Sequence, residues 1–187
     1  MNFLLDECGI PEDQVSRILR RHPCFFVQKP DSLRALVGRA EGIGITRGSG
    51  MFVWILDVLH KVSRQKFETQ VKIMTSFGLS NSDFATAIKK HPTFLWLSTD
   101  VLQRKMEFLI KDVGVTPSDI ANKSVFLALS LEKRLIPRYR VMEMLKSEGL
   151  WTSQGKLRIF FKSPRPVFLQ KFVLPHKDKL PQLLEAF

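Results

Sequence analysis

Residues 9–26 read Gly-Ile-Pro-Glu-Asp-Gln-Val-Ser-Arg-Ile-Leu-Arg-Arg-His-Pro-Cys-Phe-Phe, and residues 78–95 read Gly-Leu-Ser-Asn-Ser-Asp-Phe-Ala-Thr-Ala-Ile-Lys-Lys-His-Pro-Thr-Phe-Leu. Aligned on their glycines, the two stretches match without a gap. Val15 faces Phe84, Leu19 faces Ile88, Arg20-Arg21-His22-Pro23 faces Lys89-Lys90-His91-Pro92, and Phe25-Phe26 faces Phe94-Leu95. Apolar, basic and helix-stopping positions coincide, which is the signature of an internal repeat. Further copies begin at Gly44-Ile45, Gly114-Val115 and Gly149-Leu150, so glycines 9, 44, 78, 114 and 149 step by 35, 34, 36 and 35. The run from Phe3 to Gly9 resembles that from Phe108 to Gly114, so the chain is expected to open partway through a repeat.

Each period of about 35 residues reads as two helices. The first, as at 11–21 and 80–90, starts on Pro11 or on Ser80 with Asp83, carries apolar residues at helical spacing, and stops at His-Pro. The second, as at 99–112, has Ser98 or Thr99 for a cap and Val101, Leu102, Met106, Leu109 and Ile110 for a buried stripe. It ends at the next glycine, which supplies the left-handed residue of a C-terminal cap, so Gly9, Gly78 and Gly114 are expected at positive φ. Ile10, Ile45, Leu79, Val115 and Leu150 then pack back onto the helix just ended. Leu19, Val71, Met74, Ile88, Leu102, Met106 and Leu109 are the expected core. No stretch alternates as a strand would. The predicted fold is therefore all-α, a single domain over 1–187 built as an α-solenoid of helix pairs in a curved superhelix, with 168–187 as a C-terminal capping helix.

The chain has 187 residues, 44% of them hydrophobic with 15 Phe, which is enough to bury a core. It carries 29 Lys+Arg against 18 Asp+Glu, a formal +11, which favours a polyanionic partner. The two cysteines, Cys8 and Cys24, give no disulfide framework. No run approaches the roughly 20 apolar residues of a membrane span, so no membrane partner is expected.

Cations recur at one position of the repeat: Arg20 and Arg21, His60 and Lys61 with Arg64, Lys89 and Lys90, Lys123, and Lys162 all fall near the C-terminal end of a first helix. Such recurrence makes a stripe along a solenoid that would follow phosphates, and it is also ordinary chemistry at the negative end of a helix dipole. Charge is concentrated late, because residues 120–187 hold 13 Lys+Arg against 5 Asp+Glu while residues 1–119 hold 16 against 13. Arg134, Arg138 and Arg140 lie on one predicted helix, and Arg158, Lys162 and Arg165 on the next. The C-terminal third is therefore the expected principal nucleic-acid surface, since arginine forks suit phosphate oxygens and guanine edges.

Other chemistries find little support. His22 and His91 occupy one repeat position and lack partners at metal-ligand spacing, so no metal is expected. Gly149 to Lys156 has one residue too many for a phosphate-binding loop and Leu157 where a hydroxyl belongs, and Gly42-Ile43-Gly44 followed by Gly48 misses the dinucleotide fingerprint. No cofactor, small-molecule substrate or catalytic set is expected. Trp54, Trp96 and Trp151 are read mainly as core, Trp151 least firmly because a glycine and polar residues flank it.

Gly-Ile-Pro-Glu-Asp at 9–13, Arg-Arg-His-Pro at 20–23, Phe-Gly-Leu at 77–79, Lys-Lys-His-Pro at 89–92 and Phe-Leu-Trp-Leu-Ser at 94–98 resemble the repeats of the mitochondrial transcription termination factor family. Lys-Ser-Pro-Arg-Pro-Val-Phe-Leu at 162–169 and Lys-Phe-Val-Leu-Pro-His at 171–176 resemble the terminal repeat of its plant members. The resemblance implies a curved stack of repeats, each of two α-helices and a short 3₁₀ turn, that binds duplex DNA or structured RNA as a monomer and regulates organellar gene expression. It implies a mitochondrion, with a chloroplast as the alternative. The opening MNFLLDECGI carries acids where a transit peptide carries Arg, so a targeting peptide is expected to be absent from this chain. Two departures stand out: Arg47-Gly48-Ser49-Gly50 in a copy without His-Pro, and Lys123-Ser124 in place of that stop in the fourth copy. A helical scaffold for protein partners is the competing reading.

Overall fold

The computed structural model describes residues 5–6, 8–21, 27–151 and 157–184, and at Gln14, Arg17, Ile18, Leu19 and Arg21 the backbone only. The His22-Pro23 stop, Cys24 and the Leu19 side chain lie outside the described residues. All regular structure among those residues is helical. The chain divides into two compact units, Met1–Ser124 and Val125–Phe187.

The first unit contains α1 (Glu12–Arg21), α2 (Pro30–Gly42), α3 (Phe52–His60), α4 (Arg64–Ser76), α5 (Asn81–Lys90), α6 (Thr99–Glu107) and α7 (Pro117–Asn122). Pairs α2/α3, α4/α6 and α5/α7 pack against each other, joining elements of successive repeats. After α5 the chain turns through a 3₁₀ helix at Pro92–Trp96, where proline supplies the fixed φ of the first position. Ser80 caps α5 with a full capping box, its hydroxyl accepting from the Asp83 amide while the Asp83 carboxylate accepts from the Ser80 amide. Ser63, Ser98 and Thr116 cap α4, α6 and α7 with the hydroxyl alone, accepting from the amides of Lys66, Val101 and Asp119.

The five repeat glycines have φ of 61°, 83°, 88°, 74° and 66°, and no other described residue has positive φ. The reason lies in the hydrogen bonds that follow. The amides of Ile45, Leu79 and Leu150 reach back to the carbonyls of Ala40, Met74 and Leu145, which requires the chain to reverse sharply at the glycine before each. Ile10, Ile45, Leu79 and Val115 are buried, whereas Leu150 is half-buried. Met74, Ile88, Leu102, Met106 and Leu109 are fully buried, as the stripe predicts. Val71 is only half-buried: the fully buried residue on this turn of α4 is the neighbouring Gln70, whose amide donates to the carbonyls of Leu95 and Leu97.

The second unit contains α8 (Val125–Ala128), α9 (Ile136–Ser147), α10 (Leu157–Lys162) and α11 (Arg165–Phe168). A π turn at Leu131–Leu135 runs directly into α9. Its wide bonds run from the Leu135 amide to the Ser130 carbonyl and from the Ile136 amide to the Leu131 carbonyl, just ahead of Pro137, which brings no amide of its own. Phe160, Phe161, Phe168 and Val173 form the core with edge-to-face ring contacts at 4.9–5.8 Å, Trp151 included. The segment read as one capping helix is broken: α11 passes into a π turn at Leu169–Val173, then short 3₁₀ turns at Leu174–His176 and Pro181–Leu183. Pro175 and Pro181 remove the donors that a continuous helix would need. Val173, Leu180 and Leu183 still point apolar surface inward, and residues 185–187 lie outside the described residues.

Candidate nucleic-acid interface

The cations expected at the first-helix ends fall into two groups. Some are engaged within the protein. Lys61, the C-cap of α3, reaches back 2.9 Å to the buried carboxylate of Asp57 and lies 5.4 Å from the Trp96 ring. Lys123, the C-cap of α7, makes the same i,i+4 reach to Asp119 at 2.7 Å, a contact that holds the Asp119 carboxyl below its usual range. Arg64 pairs with Glu68 at 2.8 Å on the exposed face of α4. Lys90 donates to the carbonyl and side-chain oxygens of Asn122 at 3.0 Å, tying the end of α5 to the end of α7. Arg20 and Lys89 are exposed, and the side chain of Arg21 lies outside the described residues.

Beside Lys123, the replacement of His-Pro by Lys-Ser has a local explanation. The Ser124 side chain is buried and donates to the Ala87 carbonyl at 3.1 Å, so the hydroxyl stitches α7 to the end of α5 where a proline could not.

In the second unit, Arg140, Arg158, Lys162 and Arg165 are exposed and Arg134 is half-buried. Arg158 and Lys162, one turn apart on α10, line a surface groove with Ile159, Ser163 and Pro164. Arg138, expected on the nucleic-acid surface, is instead 1% exposed. Its guanidinium donates to the carbonyls of Phe160 and Phe161 at 2.8 Å and of Ser163 at 2.7 Å, and lies 4.3 Å from the Phe168 ring. Burial, reinforced by nearby Arg134, lowers its pKa to about 10, so it remains a cation at neutral pH. It fails as a phosphate contact because helix packing turns this face of α9 inward onto the end of α10, and the fork finds carbonyls there.

The same arrangement occurs twice in the first unit, at residues that no sequence motif marks. Arg39 on α2 donates to the carbonyls of Leu59 and Val62 at the end of α3, at 3.4 and 3.3 Å, with its guanidinium 5.2 Å from the Phe67 ring. Gln70 on α4 donates to those of Leu95 and Leu97 at the end of the Pro92–Trp96 turn, at 3.1 and 3.0 Å. In all three cases a polar side chain on the second helix of one repeat satisfies carbonyls at the end of the next repeat's first helix or of the turn that follows it. Cations at these segment ends are therefore of two kinds, internal latches and exposed charges, and only neighbouring packing separates them.

Trp54 and Trp151 are half-buried in ring contacts, whereas Trp96, read as core, is 41% exposed. Among the described residues no group of three or more His, Cys, Asp or Glu is placed to hold a metal ion, and no helix is long and apolar enough to cross a membrane.

These features define a helical-repeat protein whose repeats are latched by polar side chains and whose exposed charge is strongly basic. Residues 2–162 match the mTERF family model, and the chain belongs to that family. Among curated proteins it is 26% identical over 153 residues to transcription termination factor MTERF8, chloroplastic, of Arabidopsis thaliana, covering 82% of this chain and 30% of that protein. It is 25% identical over 117 residues to transcription termination factor MTERF15, mitochondrial, of the same plant, covering 62% of this chain and 26% of that protein. The chain thus spans less than a third of either relative's length. No solved structure gives a significant match.

Proposed function

We propose that this chain binds nucleic acid, duplex DNA in the first instance, as a single copy and through phosphate contacts, and that it serves a regulator of organellar transcription of the termination type. The observation that carries the reading is the exposure of Arg140, Arg158, Lys162 and Arg165 in a unit that holds few acids. Membership of a family whose relatives are named as transcription termination factors supports the regulatory role. Those relatives are named for a chloroplast and a mitochondrion, which supports an organelle of either kind as the compartment. No catalytic step is part of the reading.

The test is fluorescence anisotropy of a labelled duplex, DNA in one arm and RNA in the other, from about 50 to 200 mM salt. Four phosphate contacts give a slope of about −3.6 for log K against log salt on B-DNA. A slope near zero would overturn the reading and favour a protein partner, for which the exposed Ile159, Leu174 and Leu184 offer apolar surface. Tighter binding to the RNA arm would keep the phosphate mechanism and change the ligand.

A further inference from the structure

Trp96 is out of keeping with its surroundings. It follows Phe94 and Leu95, which are 1% and 0% exposed, yet leaves 41% of its own surface in water. Its indole is held in place: Trp54 packs against it in a T-shaped contact with centroids 6.0 Å apart, and the Lys61 ammonium, anchored by Asp57, lies over one face of its ring at 5.4 Å from the centroid, which leaves the opposite face as the one for stacking. Its carbonyl accepts from the Lys66 ammonium at 3.0 Å. A planar side chain fixed by its neighbours and left open to solvent presents a stacking surface at little entropic cost.

Lys66 leads from the tryptophan into a polar groove, lined by Ser63, Gln65, Lys66, Thr69, Ser98 and Thr99, between the packed helices α4 and α6. The Ser63 and Ser98 hydroxyls accept from the amides of Lys66 and Val101 at 3.2 Å, and each keeps its own proton to give to a further acceptor. The Lys66 ammonium has three protons, of which the Trp96 carbonyl takes one. The lining thus offers a cation and hydroxyl donors and contains no carboxylate, so it suits an anion.

We propose that Trp96 and this groove form a subsite for an unpaired nucleotide, the base stacking on the indole and the adjoining phosphate lying against Lys66, Ser63 and Ser98. The inference rests on the nucleic-acid reading above and extends it from duplex backbone to single-stranded nucleotides, because bases inside a duplex are stacked on their neighbours whereas an unpaired base can offer its π face to a side chain. Stacking of this kind tolerates any base, so the subsite selects strand state and not sequence.

The experiment compares a blunt hairpin duplex with the same hairpin carrying a five-nucleotide 3′ extension, oligo-dT in one arm and oligo-U in the other, on the full chain. The tailed probe is expected to bind about tenfold tighter than the blunt one. Trp96→Phe should keep most of that advantage. Trp96→Leu should abolish it while shifting blunt-hairpin affinity less than about twofold, and Lys66→Gln should reduce it and flatten its salt dependence. Equal affinity for blunt and tailed probes in the native protein, or an advantage that survives both Trp96→Leu and Lys66→Gln, would overturn the subsite and leave duplex binding standing. Failure to bind either probe would overturn both readings together. A larger gain for oligo-U than for oligo-dT would assign the strand as RNA.

Discussion

At Arg138 one guanidinium completes the end of α10 and the turn into α11, so its removal strands three carbonyls as well as opening a space against Phe168. Arg138→Ala is expected to cost about 2–4 kcal/mol, read by urea denaturation, whereas Arg158→Ala and Lys162→Ala should each change stability by less than about 0.5 kcal/mol. Equal effects of the three would show that the internal hydrogen bonds contribute nothing. At Ser80 and Asp83 the contribution to stability depends on charge. Hydrogen bonds from the Ser80 side chain and backbone hold the Asp83 carboxyl below its ordinary range. A carboxyl depressed in the folded state stabilises above its unfolded pKa, near 3.9, and that contribution is lost as pH falls through the lower folded value. Asp83→Asn should therefore narrow the stability difference between native and variant as pH is lowered into that range, with the difference fully present at neutral pH.

At the scale of the helix, the glycines at the repeat junctions and the glycine inside α2 have opposite roles. Gly78 sits at φ 88°, and a Cβ there would also meet Pro117 Cγ at 3.4 Å. Gly78→Ala is expected to destabilise by about 1–2 kcal/mol. Gly38, inside α2 and with open space around it, should become more favourable by about 0.5–1 kcal/mol as alanine. Thermal unfolding of the two variants checks the opposite signs. The helix boundaries and glycine caps were legible in the sequence because they depend on local rules: Ser80 with Asp83, Pro92 after His91, and an apolar residue after each glycine. The latches were not. Arg39, Gln70 and Arg138 share no spacing from their repeat glycines, and a buried arginine and an exposed one look alike until the adjoining helix is placed. The π turn before α9 and the broken segment after α11 similarly depend on how Pro137, Pro175 and Pro181 are accommodated. Trp96 was hidden for the converse reason, since an apolar run predicts burial on average and does not say which member faces out.

Over the whole chain, charge is unevenly spread, and this asymmetry predicts where binding energy resides. Residues 120–187 carry 13 Lys+Arg against 5 Asp+Glu, and residues 1–119 carry 16 against 13. In the first unit, Lys61, Arg64 and Lys123 are each paired with a carboxylate, which reduces what they offer a phosphate. In the second, Arg140, Arg158, Lys162 and Arg165 are exposed, and Arg138 must be left intact because it supports the fold. Replacing those four by alanine together should weaken duplex binding at low salt and flatten the slope of log K against log salt by about 3 to 4, with helix content unchanged by circular dichroism. A cation that touches only phosphate should lower affinity for every duplex alike, while an arginine reading guanine should also relax preference at one position, and a panel of duplexes separates the two. The control set is Arg20 with Lys89, exposed cations at equivalent positions of two first helices. If their replacement cost more affinity per residue than the C-terminal set, binding would follow the repeat and not the charge gradient, and the stripe along successive first-helix ends would be the surface that meets the phosphates.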